Sequence, residues 1–279
     1  MTDASQPLFL FGPGYTAKAL ARIWDGDVIG TYRSETSRET IAALGMEAVS
    51  VSDEAALRQG VSGAHVLVSA APSDDGCPAL AAISEMVGDA ASVTYLSTTG
   101  VYGDMGGGWA MEWTPENPGS ARGRRRVEAE DGWASVRDDI RIVRLPGIYG
   151  PGRSPLDRVR EGRASRVVKD GQVFSRAHVD DIASGLKALI LSGKTGIYNL
   201  CDEEAAPPQD VTLVAAQILG VEPPPEVAFE DAELSEMGRS FYSECKRVSN
   251  AKLKAATGWR PTYPTYSEGL RAIAASETA

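Results

Sequence analysis

Cysteine is scarce in this 279-residue chain: Cys77, Cys201 and Cys245 stand far apart, odd in number and without metal-ligand spacing. That excludes a disulfide framework and a cysteine metal site, and reads as reduced thiols. Histidine is scarcer still, with only His65 and His178, so no metal centre is expected. No apolar run approaches the ~20 residues that span a bilayer. The opening segment, "MTDASQPLFLF", has no basic stretch ahead of its short apolar one, which speaks against a signal peptide and for a cytoplasmic protein. Positive charge is also in deficit. Against 38 Asp and Glu stand 28 Lys and Arg, a formal net charge of -10, whereas backbone-directed nucleic-acid binding needs many cations gathered on one face. The expected partner is a small molecule, not a nucleic acid or a membrane.

What is present is an ordinary core-forming composition, 43% hydrophobic and 24% charged, and a regular rhythm. "PLFLF" (7–11), "DVIGTY" (27–32), "EAVSV" (47–51), "HVLVSAA" (65–71), "SVTYLST" (92–98) and "IRIVRLP" (140–146) read as strands. Helical spacing separates them around Ala17, Leu20, Ala21 and Trp24, then at 40–45, 54–60 and 78–88, and in the arginine-rich stretch before the sixth strand. Such alternation predicts an α/β fold with a doubly wound parallel sheet and right-handed crossovers. After residue 150, Pro and Gly thicken, and helices at 179–191, 209–219 and 249–257 are separated by short strands. The expected division is a domain over 1–150, with 177–200 returning to it. A smaller C-terminal α/β region of 151–176 and 201–279 would hold the substrate.

The first strand runs into "FGPGYTAKAL". Gly12 permits a tight turn, Gly14 lets backbone amides reach a pyrophosphate, and Tyr15 and Thr16 open the helix, with the small Ala17 in the third motif position. In a strand–turn–helix setting this predicts a Rossmann-type dinucleotide-binding domain. The second strand ends in "TYRSE": Arg33 and Ser34 stand where a carboxylate would bond the ribose of NAD, which favours NADP over NAD. The competing reading makes Arg33 a loop residue and gives the ribose to Glu35. Ser69, Ala70 and Ala71 at the fourth strand's end and Pro146 at the sixth's are expected beside the cofactor, since ligands lie at the carboxyl ends of such strands. "YLSTTGVYGD" sets Ser97, Thr98 and Thr99 at the fifth strand's end, and "GDMGGGWAMEW" (103–113) reads as a mobile apolar lid carrying Trp109 and Trp113.

These stretches, with "EWTPENPGSARGRRRVEAE" (112–130), "RLPGIYGPG" (144–152), "HVDDIASGL" (178–186), "YNLCDEE" (198–204) and "KRVSNAKLKAATGWRP" (246–261), resemble in order the extended short-chain dehydrogenase/reductases, the group of nucleotide-sugar epimerases and dehydratases. The glycine turn, one residue short of the usual G-x-x-G-x-x-G, is similar to that of the atypical branch. The resemblance implies a catalytic Ser/Thr at Thr98 and a Tyr–Lys pair in the pattern P-x-S-x-Y-x-x-x-K-x-x-x-E. Pro118, Ser120 and Glu130 align without a gap. Arg122 therefore takes the tyrosine's place and Arg126 the lysine's.

A guanidinium does not surrender a proton near neutrality, so Arg122 is no substitute for a phenol, while Arg126 retains donors for ribose hydroxyls. One helical turn apart, the two share a face and favour an anionic ligand; Arg124 and Arg125 are assigned to solvent. Tyr102 and Tyr149 are the nearby phenols, Tyr102 being the candidate substitute acid/base, although its equivalent in relatives is often packed. The resemblance also implies substrate contacts at Thr99, Trp109, Tyr149, Arg153, Arg176 and Tyr242, with Arg144 and Arg247 in matched segments, and pairing into homodimers. His178 and Asp180 are read as organisers of a strand-to-helix turn.

Two functions compete. One is an NAD(P)-dependent oxidoreductase or epimerase/dehydratase-like enzyme on a small, anionic or nucleotide-sugar-like substrate. The other is a non-catalytic dinucleotide-binding sensor that has lost the Tyr–Lys pair.

Overall fold

The computed structural model describes residues 5–277; the first four residues of the N-terminal segment and the last two of the chain lie outside. Residues 8–145 supply six of the main sheet's seven strands. Buried strand β1 (Leu8–Phe11) leads into α1 (Tyr15–Arg22), then β2 (Val28–Tyr32), α2 (Glu35–Ala43), β3 (Glu47–Ser50), α3 (Glu54–Val61), β4 (His65–Val68) and α4 (Pro78–Ile83). The long central strand β5 (Ser92–Thr98) follows, then the two-residue β6 (Trp109–Ala110), α5 (Ala121–Val136) and β7 (Arg141–Leu145).

Beyond β7 come β8 (Gly147–Tyr149), α6 (Pro155–Arg160), β9 (Arg166–Val168), β10 (Arg176–His178), α7 (Val179–Leu191) and β11 (Gly196–Asn199). The chain ends with α8 (Pro208–Leu219), β12 (Glu226–Ala228), α9 (Glu236–Phe241), β13 (Arg247–Val248), α10 (Ala251–Thr257) and α11 (Tyr266–Glu277). The main sheet has seven strands in the order β11-β7-β5-β4-β1-β2-β3, every pair parallel. Its order reverses between β1 and β4, the switch point where open α/β sheets leave a crevice for ligands.

The apolar strand faces explain why the sheet is covered on both sides. Leu8 and Leu10 face a core formed with α1 and α7, including Leu20, Leu186 and Trp259. Phe9 and Phe11 face the opposite core, with Val61, Ile83 and Trp133 from α3, α4 and α5. A separate cluster joins α6, α8 and α11 around Leu156, Ala215 and Leu270. Gly60 marks a close approach beneath the sheet, where an added Cβ would lie 2.9 Å from the Phe9 ring.

Three element boundaries depart from the sequence reading, the first being α2, which starts at Glu35 behind its Ser34 cap instead of at 40. Helix α4 stops at Ile83 instead of reaching 88, giving way to a short 3-10 turn at Val87–Asp89. The strand ending "HVLVSAA" stops at Val68, because the backbone amides of Ser69 and Ala70 both turn to the Phe11 carbonyl.

Candidate functional site

The crevice begins at Gly12. Its φ of +70° suits glycine, and a Cβ there would sit 2.8 Å from the Ala70 Cβ, so the ends of β1 and β4 come together only with glycine at this position. Its amide donates to Thr31 Oγ1 at 2.9 Å, tying the turn to β2. Gly14 is the N-cap of α1 and supplies no side-chain cap, which leaves first-turn amides available to an anion. Ser69, whose Oγ lies 3.6 Å from a Cβ built on Gly14, flanks the same turn. These features fit a dinucleotide pyrophosphate.

At the end of β2, Arg33 is exposed. The Ser34 hydroxyl caps α2 through Ser37, and Glu35 pairs with Arg38 at 2.7 Å. Of the three, only Arg33 makes no side-chain bond or ion pair among the described residues.

At the other wall, Thr98 ends β5 opposite Leu145 in the register with β7, which sets Pro146 beside it. Thr98 Oγ1 accepts from the Gly100 amide at 3.2 Å, so its hydroxyl proton stays free to point outward; Thr99 is buried. Helix α5 packs against this strand end. Ser120 caps it by accepting from the Gly123 amide at 3.1 Å, and a Cβ on Gly123 would stand 3.0 Å from the Gly100 carbonyl oxygen. Arg126 is buried, with Nη1 donating to the Leu96 carbonyl at 2.6 Å and to the Tyr95 hydroxyl at 3.1 Å. Burial, offset by Arg126, still pushes the Tyr95 phenol up to about 12. Arg122 is exposed, yet partial burial and the charges of Arg126 and Arg153 pull its pKa down. Arg153 lies over the Tyr15 ring, 5.9 Å from its centroid, while the Tyr15 hydroxyl donates to the Pro151 carbonyl at 2.9 Å. Arg122, Arg126, Arg153, Tyr15 and Thr98 are thus grouped around the carboxyl ends of β1 and β5.

Other candidates are placed elsewhere. Tyr102 is fully buried, donates to Asn199 Oδ1 at 2.8 Å and lies under the Arg144 guanidinium, 4.8 Å from its ring centroid; burial raises its pKa. The structure does not bring it to the crevice. Tyr149 packs in the α6–α8–α11 core with its hydroxyl pressed against Gly269, and burial followed by Asp202 raises its pKa. Arg144 is locked to Glu130 (Nη2–Oε2 2.6 Å) and to Glu116. Arg247 donates to the Gly107 carbonyl, and Arg176 Nη1 donates to the carbonyls of Phe174 (2.8 Å) and Ala206 (3.1 Å). Tyr242 stacks on Phe174 and Phe229. Arg124 is exposed as expected, but Arg125 is not a free solvent residue: it pairs with Asp74 and so ties α5 to the loop after β4.

The 103–113 loop departs from the mobile lid expected of it. Met105 and Gly107 amides donate to the Cys245 carbonyl at 3.0 and 2.9 Å, Asp104 Oδ1 accepts from the Cys245 amide at 2.7 Å, and Trp109 pairs with Arg247. Trp109 and Trp113 remain 54% and 76% exposed. His178 caps α7, its Nδ1 accepting from the Asp180 amide at 3.2 Å, as the turn reading required. The sequence reading missed Asp181, which takes the Thr262 and Tyr263 amides at 2.6 and 3.0 Å, and Asp202, buried beside Tyr149 and Arg176. Lone acids in mixed loops carry no spacing signal.

No family model matches the chain. A functionally unknown conserved protein from Silicibacter pomeroyi superposes with a TM-score of 0.91 at 44% identity, covering 98% of this chain and all of that one. UDP-glucose 4-epimerase from Thermus thermophilus, solved in complex with NAD, superposes with a TM-score of 0.74 at 21% identity over 96% of this chain and 97% of that one. The Escherichia coli protein YeeZ is 35% identical over 156 residues. The chain shares the fold of the NAD-complexed epimerase. At the two positions where the resemblance implies a Tyr–Lys pair, this chain carries Arg122 and Arg126. The stretch matched to YeeZ spans about half of each protein, 52% of this chain and 54% of YeeZ. Among the described residues no group of three or more His, Cys, Asp or Glu side chains is placed to hold a metal, and no helix is long and apolar enough to cross a membrane.

Proposed function

We propose that this protein binds a nicotinamide dinucleotide and acts as an oxidoreductase or epimerase/dehydratase-like enzyme on a small polar substrate. The observation that carries the reading is the cradle at the sheet's switch point, where Gly12 presses on Ala70 and Gly14 opens α1 uncapped. Gly12, Gly14, Tyr15 and Thr16 would hold the pyrophosphate, Ser69, Ala70 and Ala71 the adjoining nucleotide, and Pro146 the nicotinamide end. Arg33, exposed and without a side-chain partner among the described residues, supports NADP over NAD. The cofactor, when bound, supplies or accepts a hydride. The chain's own contribution is orientation: Thr98 donates to the reacting oxygen, and the donors of Arg126 not spent on β5 reach ribose hydroxyls. Arg122 stabilises negative charge nearby.

Equilibrium dialysis against NADP and NAD tests the cradle. Retention of at least one is expected, and Gly12→Val should abolish it; recovery of neither with the wild-type protein ends the proposal. Arg33→Ala should cost NADP about tenfold in affinity and leave NAD unchanged, in line with losing one charge-assisted contact of about 1.5 kcal/mol.

The second reading is a non-catalytic sensor of cofactor state. It is favoured by the commitment of Tyr102 to Asn199, which leaves Thr98 without that phenol as proton partner. Tight cofactor binding with no absorbance change on any of a panel of carbonyl compounds and nucleotide sugars would select it.

A further inference from the structure

Three guanidiniums meet at this crevice in a chain of net charge -10, and among the described residues no ion pair includes any of them, although arginines 38, 58, 125, 137, 144, 160, 163 and 166 all form ion pairs. Arg126 is fixed from behind by Leu96 and Tyr95. Arg122 stands one turn earlier on the same helix, and Arg153, lying over the Tyr15 ring, is near enough for its charge to act on Arg122. Two acids act on Tyr15. Asp157 is engaged by the Ser154 amide at 2.8 Å and by Arg160 at 3.5 Å, and Asp180 is exposed at the start of α7. Like charges gathered with no carboxylate paired to any of them raise the energy of the site, an expense recovered when an anion enters.

We propose that Arg122, Arg126 and Arg153 receive an oxyanion carried by the substrate, a carboxylate or phosphate on a small carbonyl or hydroxyl compound whose reacting oxygen then lies against Thr98. The inference rests on the nicotinamide reading above and names its substrate class. The position of Arg126 assigns the oxyanion to the substrate and not to the cofactor's pyrophosphate. The pyrophosphate cradle is at the end of β1, while Arg126 descends onto β5 two residues before Thr98. Arginine's planar fork also matches carboxylate and phosphate bidentately.

Calorimetric titration of the protein saturated with NADP or NAD reads this site directly. Pyruvate or dihydroxyacetone phosphate should bind at least tenfold tighter than neutral dihydroxyacetone. Arg122→Gln, at an exposed position, should lower that affinity about tenfold while leaving cofactor affinity within a factor of two, and Arg153→Gln should lower it by a similar factor. Equal affinity for charged and neutral probes overturns the proposal. So does a loss of cofactor affinity in Arg122→Gln with the small anions unchanged, which would return the arginines to the pyrophosphate. UDP-glucose binding that fails in Arg176→Ala but persists in Arg122→Gln would also overturn it. If the wild-type protein takes up neither cofactor, the nicotinamide reading has failed, and titration of the cofactor-free protein with the same anions still decides whether the arginines form their receptor.

Discussion

At the scale of single residues, glycine and one buried acid make the firmest predictions. Gly12 carries both a left-handed backbone and a contact that a methyl group cannot share. Gly12→Ala should therefore lower stability by about 1–3 kcal/mol in urea unfolding and remove cofactor binding as well. Asp202 is 5% exposed, and burial pushes its carboxyl up to about 8 against the opposing pull of Arg176. The folded protein thus holds this proton more tightly than the unfolded chain, whose carboxylates titrate near about 4. The contribution of Asp202 to stability is complete below that pH and falls as pH climbs through about 8. Asp202→Asn should accordingly stay close to the wild type at pH 5 and exceed it by a few kcal/mol at pH 9, a tenfold difference in proton affinity being worth about 1.4 kcal/mol. A gain that shrinks with rising pH refutes the sign. Gly12 was readable in advance because its motif has fixed spacing next to a strand. Asp202 was not, because burial comes from residues far away in sequence.

Helix α5 concentrates the element-scale argument. It must present Arg122 and Arg126 while sitting almost in contact with the turn after β5, and three devices hold it there: the Ser120 cap, the bare Gly123 face and the Glu130–Arg144 pair. Ser120→Ala should cost about 1 kcal/mol, as lost N-caps do. Glu130→Ala leaves the buried Arg144 guanidinium with Glu116 alone and should cost up to about 3 kcal/mol, whereas Glu130→Gln keeps one acceptor and should recover part of it; thermal unfolding measures all three. The helix itself was legible from Pro118, Ser120 and Glu130. The role of Arg144 was not, since a matched segment says where an arginine lies and nothing about whether an acid from another element neutralises it. The 103–113 loop misled for a related reason: its glycines suggest freedom, but the backbone bonds that bind it to Cys245 come from a segment about 140 residues away.

For the whole molecule, alternating apolar runs were enough to foresee a parallel sheet, because strands covered on both faces must be apolar almost throughout. The seventh strand, β11, is half polar and was foreseen only as part of a segment returning to the domain. Ligation should be visible globally. A cofactor present at about a hundredfold its dissociation constant stabilises by about 2.7 kcal/mol, which for a chain of this size raises the melting temperature by several degrees; differential scanning fluorimetry with NADP and NAD checks it. Duplex DNA at physiological salt should produce no shift. The Arg144 network has one further implication. Through Glu130, Tyr102 and Asn199 it joins α5, β7, the turn after β5 and β11 in a continuous strut, so the arginine face is built before any guest arrives. Capture should then be a one-step encounter, with an observed stopped-flow rate that climbs in direct proportion to ligand concentration and reaches no ceiling.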